Sequence, residues 1–349
     1  MAPVVANFQG SLSLNQPPFP DGWLVDTLKI PEISYGDIFP KNPTHELLDD
    51  VRLRVMDAVV GTGDPGIIKV IGLPAPNIEQ ERGHKNNLIT LILKQLFRSI
   101  WVHPRRGADQ TFNVSSHSDD LNRAELPNYD TNKLLLPHSD QTMYDQPAQI
   151  MAFYGLEGKS ENTWVSALAV LKTLKDEDPH LFAELVHKAP MTVGRVTRIY
   201  GDPLYQGTVG SAIITDSGFP DKFKRVRWHP NNIGFLIAPY DEFKDARLAH
   251  QKFQEIMRRD THQLKIVFKP GDMYIWDNFR LLHGRERVLE VPRTGVGQTV
   301  SEQVVADMYR DIRIRRLRRH IDEKWLVHLP APQLREMAKI VEAGSDTDS

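Results

Sequence analysis

Two side chains in the run Leu135-Leu136-Pro137-His138-Ser139-Asp140 have the types and spacing to bind a metal. The run closes an apolar stretch, so extended backbone is expected there, and on such a backbone residues two apart share a face. A mononuclear non-haem iron(II) centre takes two imidazoles and one carboxylate on one side of an octahedron. Its remaining positions stay open for an organic co-substrate and dioxygen. His138 and Asp140 supply two such donors. The third is expected from a distant strand, and His283, within Asp277-Asn278-Phe279-Arg280-Leu281-Leu282-His283-Gly284-Arg285, offers it.

His-x-Asp alone is a weak signal, because the chain contains it three times. His117-Ser118-Asp119 sits in a polar run with no strand before it. His320-Ile321-Asp322 lies in an Arg-rich helical pattern, where residues two apart point in different directions. Only His138 follows an apolar run and has a partner downstream.

Beyond His283, across the turn-like Glu290-Val291-Pro292, Arg293 opens a β-like run. An arginine there could grip a dicarboxylate by a bidentate fork while the other end of that acid chelates iron. Arg285 and Arg287 are rivals by position. Thr163 opens an earlier strand and has a hydroxyl able to donate to the same carboxylate. Taken singly, each of these residues would pass for an ordinary strand residue, so their roles rest on the constellation.

The elements that must position them can be read in order. Residues 1–40 are Pro-bearing and aperiodic and read as an extended arm that could pack on a partner subunit, as in a homodimer. Helical spacing marks 44–60 and 87–101, with a β-branched strand between them at 66–72. Strands are expected at 111–114, 149–154 and 163–165. A helix follows to 174 and is broken at Asp176-Glu177-Asp178-Pro179, and another starts at 181. Short β runs fill 193–236, helix returns at 241–259, and strands at 263–268 and 273–276 flank the tight turn Lys269-Pro270-Gly271-Asp272. The pattern predicts a mainly β fold, an antiparallel barrel or jelly roll flanked by helices. The main domain, carrying this barrel and its flanking helices, is expected over 41–330, and a C-terminal helix and frayed tail over 331–349. The Arg-dense stretch 310–320 reads as a solvated helix balanced by Asp307, Asp311 and Asp322, or as a subunit interface.

With 349 residues, 40% of them hydrophobic, the chain can bury a large core. A net charge of −2 gives no electrostatic case for nucleic acid or membrane as partner, so a small-molecule substrate is expected. The absence of cysteine excludes disulfides and Cys-ligated zinc or iron–sulfur sites. No leader-like start or long apolar run is visible, and the expectation is a cytoplasmic protein.

The iron motif, the run from Phe268 to Asp272 leading into Trp276-Asp277-Asn278-Phe279-Arg280-Leu281-Leu282-His283-Gly284-Arg285, and Arg293 together resemble the taurine dioxygenase superfamily of iron(II)/2-oxoglutarate oxygenases, in particular its γ-butyrobetaine and trimethyllysine dioxygenase branch. The resemblance runs from about residue 60 to 310. It implies a double-stranded β-helix with iron on His138, Asp140 and His283, Arg293 pairing with the distal carboxylate of 2-oxoglutarate, and Thr163 assisting. It also implies that Asn278 and Arg280 support the His283 strand.

The chain departs from that branch in three ways. It lacks the cysteine-built zinc module. Its iron motif has Ser139 where these relatives usually have threonine. Aligning Thr131 with the threonine before their iron histidine places Asp130 where they carry a cage tyrosine, with Tyr129 one place away. A carboxylate suits a primary ammonium better than a quaternary one, which has no N–H and relies on cation–π attraction. The reading is therefore oxidation of an unactivated C–H of a small amine- or amino-acid-like substrate, by hydroxylation, desaturation or ring closure in specialised metabolism. Tyr129, Asp130, Tyr144 and Asn231 are the substrate-contact candidates. The alternatives are a carnitine-pathway hydroxylase, and, of another class, a metal-dependent hydrolase or isomerase or a non-catalytic binding protein.

Overall fold

Capping side chains and glycines divide the chain much as its hydrophobic pattern suggests. A computed structural model of the protein describes residues 28–60, 65–82, 86–100, 112–116, 134–142, 148–185, 191–193, 209–211, 214–216, 224–230, 233–236, 241 and 243–324. The first part carries β1 (Glu32–Ser34), α1 (Tyr35–Ile38), α2 (His45–Val60), β2 (Ile67–Ile71), α3 (Ile78–Glu81), α4 (Leu88–Phe97) and β3 (Phe112–Ser116). Asn87 caps α4 by accepting from the Thr90 N–H at 3.0 Å, and Arg98 ends it in the left-handed region. The middle carries β4 (Leu135–His138), β5 (Ala148–Glu157), β6 (Ser160–Ser166), α5 (Ala167–Glu177) and α6 (Pro179–Ala183). Asp178 is at once the last cap of α5 and the first cap of α6, and Pro179 takes the N-terminal position where its missing N–H costs nothing. Four short strands follow, β7 (Met191–Val193), β8 (Val209–Ser211), β9 (Ile214–Asp216) and β10 (Lys224–Val226), and then β11 (Ile233–Leu236). The last part is α7 (Phe243–Met257), β12 (Gln263–Phe268), β13 (Met273–Asp277), β14 (Leu281–Val288), β15 (Arg293–Ser301) and α8 (Glu302–Lys324).

These strands form two principal sheets. The larger has the order β1-β2-β13-β5-β15-β3, the smaller β12-β6-β14-β4, and only the β1–β2 pair among them is parallel. Their inner faces meet through Met151, Tyr274 and Trp276 of the larger sheet and Trp164, Leu264, Phe268 and Leu281 of the smaller. Helices cover the outer faces. Ile150, Ala152, Tyr154 and Val296 pack with Val55, Ile89 and Leu93 of α2 and α4. Val165 and Leu282 pack with α5, α6 and α7 through Val170, Phe182 and Phe253. Burying each such aliphatic side chain contributes roughly 1.5–3 kcal/mol of transfer free energy.

The architecture is thus mixed sheets with flanking helices. β1 and α1 fall inside the stretch expected as an extended arm to residue 40, since β1 pairs with β2 and Ser34 caps α1; residues 1–27 lie outside the described residues. The helix expected from 181 starts earlier because Asp178 and Pro179 form its cap. On α8, Arg310 pairs with Asp307 at 2.8 Å as expected. Asp311 instead meets Arg98 at 3.0 Å, and Arg315 makes a two-pronged pair with buried Asp49 of α2 at 2.9 Å. The expected C-terminal unit, 331–349, lies outside the described residues.

Candidate metal centre

His138 ends β4 and His283 lies on β14, and the antiparallel register sets the two directly opposite each other. Side chains opposite each other across a sheet point to the same face. Trp164 on β6 and Leu264 on β12 continue that row, and both belong to the interior cluster, so the two imidazoles point inward. Their ring centroids lie 4.7 Å apart. Asp140 follows in the turn after β4, with Oδ1 3.2 Å from His138 Nε2 and Oδ2 3.6 Å from His283 Nε2. One donor atom from each of the three lies within 4.8 Å of the others, and this is the only such group of three among the described residues.

The donor set fits an iron(II) ion. Ligand atoms held at right angles about 2.1 Å from one ion lie about 3 Å apart, near the two distances observed. His138 Nδ1 sits 2.8 Å from the Leu136 carbonyl, which can only accept, so Nδ1 is held as the donor and Nε2 is the atom left to ligate a metal. Burial opposes ionisation of Asp140, but hydrogen bonds and charge from His138 and His283 outweigh it and hold the carboxyl well below the usual range. Burial pushes the His283 imidazole down, against the pull of Asp140, which favours the neutral ligand form. Asp140 keeps 33% of its side-chain surface, so the cluster opens on that side.

The turn that presents Asp140 is held from two directions. Asn278 accepts from the Asp140 N–H at 2.8 Å and donates to the Asp140 and Ala148 carbonyls at 3.1 and 3.0 Å. Ser139, fully buried, donates toward the Val226 carbonyl at 3.1 Å and accepts from the Trp228 N–H at 2.9 Å, while its own N–H reaches the Trp228 carbonyl at 2.7 Å. Gln141, next in the chain, takes a left-handed conformation with φ 59° and is tied by accepting from the Ala148 N–H at 2.7 Å. Such strain persists only where surrounding contacts over-determine it.

Asn278 therefore braces the Asp140 turn rather than the His283 strand. Arg280 pairs with Asp277 at 3.4 Å and reaches the Val59 carbonyl, tying the β13–β14 connection to α2. Ser139 and His229 escaped the sequence reading as site residues. The His229 ring lies 4.5 Å from that of His138. Only proximity in space marks it; nothing in the local spacing does.

Arg293 lies where β15 begins, opposite Ser116 on β3 and nine-tenths buried. Its Nε donates to Ser160 Oγ at 3.1 Å, and its guanidinium stands 5.4 Å from the centre of the Phe153 ring. Arg285 is buried on the inner face two residues beyond His283, and Arg287 is an exposed partner of Glu161.

Thr163 requires a correction. Its row is Gly284–Thr163–Lys265, adjacent to the row of His283, Trp164 and Leu264, and adjacent rows point to opposite faces. Its hydroxyl meets Glu286 at 3.4 Å on the outer side of the smaller sheet. The inner-facing row of β6 includes Ser160, Asn162 and Trp164. The substrate-contact candidates Tyr129, Asp130, Tyr144 and Asn231 lie outside the described residues.

The family described as taurine catabolism dioxygenase TauD, TfdA family matches residues 90–297, well over half of the chain. Among curated proteins, a trimethyllysine dioxygenase of Neurospora crassa is 24% identical over 205 residues, covering 44% of this chain and 40% of its own length. The mitochondrial trimethyllysine dioxygenase of Gallus gallus is 26% identical over 154 residues, covering 43% and 36%. The chain thus matches less than half the length of these relatives. Two solved structures share the fold. The non-heme iron oxygenase OrfP in complex with Fe, succinate and (3S)-hydroxy-L-Arg has a TM-score of 0.53 at 13% identity, covering 77% of this chain and 87% of its own. Asparagine oxygenase in complex with Fe(II), 2S,3S-3-hydroxyasparagine and succinate has a TM-score of 0.53 at 12% identity, covering 78% and 93%.

Proposed function

The chain belongs to the taurine catabolism dioxygenase TauD, TfdA family of iron(II)/2-oxoglutarate oxygenases, and from that premise we propose that it oxidises an unactivated C–H of a small amine- or amino-acid-like substrate. The observation that carries the proposal is the inward convergence of His138, Asp140 and His283 on one point. The two facing sheets with helices outside are read as a double-stranded β-helix, in keeping with the likeness to OrfP and asparagine oxygenase.

In this reading His138, Asp140 and His283 hold iron from one side, and Arg293 pairs with the distal carboxylate of 2-oxoglutarate. The iron and its co-substrate supply the oxidising power, with dioxygen and 2-oxoglutarate consumed and succinate and CO₂ released as the substrate C–H is oxidised. The chain's own share is geometric. His138 presents a lone pair because the Leu136 carbonyl holds its other nitrogen, and Asn278 and Ser139 fix the turn that aims Asp140. Trp164, Trp276 and Phe268 wall the inner space and exclude bulk water.

The substrate class rests on the amino-acid substrate in the names of the trimethyllysine relatives and on Asp130, whose carboxylate suits a primary ammonium. A trimethyllysine or γ-butyrobetaine hydroxylase is the second reading, favoured by those same relatives and opposed by Asp130. We also propose a cytoplasmic location, which cell fractionation would check.

The test is succinate formation from 2-oxoglutarate under air with Fe(II) and ascorbate, against free amino acids, γ-butyrobetaine and trimethyllysine. Stimulation by a primary amine, lost in His138→Ala and Arg293→Ala, is the expected result. Stimulation by a quaternary amine instead would restore the carnitine reading. No succinate from iron-loaded protein under any condition would turn the proposal toward a hydrolase or a binding protein.

A further inference from the structure

The hydroxyl that the sequence offers beside Arg293 points out of the smaller sheet, while two other polar side chains of the same strand point in. Ser160 and Asn162 share the inner face of β6, since residues two apart on a strand do so. Ser160 Oγ accepts from Arg293 Nε at 3.1 Å and from Asn162 Nδ2 at 3.0 Å, and Asn162 Nδ2 also reaches the Ser160 carbonyl at 3.3 Å. On its other side the guanidinium is backed by Phe153. That ring lies where it does because position 295 is glycine: a Cβ there would come within 2.3 Å of Phe153 Cζ.

We propose that Ser160 and Asn162 are the positioning residues that hold Arg293 for the distal carboxylate of 2-oxoglutarate, the task the sequence assigns to Thr163. The assignment rests on the proposed 2-oxoglutarate chemistry. A hydroxyl oxygen has two lone pairs, and both on Ser160 are engaged by N–H donors, so its O–H is turned outward as a donor for a carboxylate. With Nε bound to Ser160, the guanidinium meets the carboxylate through its Nη end, and its position is set by Ser160 at Nε and by the neighbouring Phe153 ring. Asn162 fixes the Ser160 rotamer. Thr163, bonded toward Glu286 on the opposite face, has no part in this arrangement.

The experiment measures binding rather than turnover. Iron(II)-loaded protein is titrated anaerobically with 2-oxoglutarate, by calorimetry and by the absorbance band of the bound co-substrate, for wild type, Arg293→Ala, Ser160→Ala, Ser160→Thr, Asn162→Ala and Thr163→Val. Iron affinity is measured separately by chelator competition. Ser160→Ala and Asn162→Ala are each expected to weaken 2-oxoglutarate about tenfold, with Ser160→Thr restoring most of the loss and iron affinity unchanged. Their double variant loses less than the product of the two, because both act through one hydrogen-bonded unit. Thr163→Val stays within about twofold of wild type. Should Ser160→Ala not fold, Asn162→Ala at its half-buried position decides the matter.

Loss of binding in Thr163→Val, or unchanged binding in Asn162→Ala while Arg293→Ala loses it, overturns the assignment and leaves the oxygenase reading standing. Unchanged binding in Arg293→Ala would instead remove the pairing beneath it, and the assignment with it.

Discussion

At the scale of single residues, the amide of Asn278 does the most to shape the metal site without touching the metal position. It satisfies both backbone groups of Asp140 and ties them to β5, so the carboxylate is aimed by a side chain far away in sequence. Removing a group that orients a metal ligand typically costs 10–100-fold in metal affinity. Asn278→Ala is therefore expected to weaken iron binding by about that factor, measured by chelator competition, while 2-oxoglutarate affinity of the iron-saturated protein changes little. Ser139 works from the other side of the same turn. Its oxygen is enclosed by the Val226 carbonyl and the Trp228 N–H and carbonyl, so Ser139→Ala takes away the acceptor of the buried Trp228 N–H. A loss of about 1–3 kcal/mol in stability is expected, read by denaturant unfolding.

At the scale of elements, the β5–β6 hairpin and the turn before β15 meet at Gly158. Its φ of 69° is one that side chains rarely adopt, and a Cβ there would lie 2.4 Å from the Pro292 carbonyl oxygen and 3.0 Å from Arg293 Cα. Neither neighbour is a side-chain end that could swing away. Gly158→Ala is expected to cost about 1–3 kcal/mol and to raise the KM for 2-oxoglutarate, because the turn must yield and Arg293 moves with it. Iron affinity should hold, since β4 and β14 are not involved. The strands at this corner were expected at 149–154, at 163–165 and from Arg293 onward, and the break at Asp176-Glu177-Asp178-Pro179 marked a helix end as read. The face of Thr163 was not legible: a period of two means that an error of one residue reverses every assignment along the strand, and no local pattern separates Asn162 from Thr163.

At the scale of the molecule, acid stability connects distant parts. His250 of α7 is buried, its Nε2 has no hydrogen-bond partner among the described residues, and its ring lies 5.5 Å from Trp228, whose backbone holds Ser139. Burial pushes its imidazole down to about 4 from an ordinary 6.5. Between those values the unfolded chain binds the extra proton and the folded chain does not, so stability is full above about pH 6.5 and declines as pH falls toward 4. The decline amounts to about 3 kcal/mol. His250→Phe should flatten that part of the stability profile, measured by melting between pH 7 and 4. Asp49 extends the acid decline below that window: burial opposes its charge, but Arg315 and Arg52 outweigh it and hold its carboxyl below the usual range. Its contribution is present above its unfolded pKa and lost as pH falls through the folded one. Asp49→Ala is expected to cost about 2 kcal/mol, less than for a fully buried pair because Arg315 keeps part of its solvent, and to loosen α8 from α2.

The amino-acid sequence by itself determined the metal-binding chemistry, since His-x-Asp after an apolar run and a second histidine on a strand are statements about residue types and backbone period. It also determined most element positions, through the spacing of apolar residues and the glycine, proline and aspartate that end them. Only the tertiary structure decided which residues brace the centre and which side of β6 faces Arg293. Register between strands far apart in the chain is set by the packing of whole faces, and so the bracing of Asp140 by Asn278 and Ser139 and the placement of His229, Ser160 and Asn162 became visible only once those faces met.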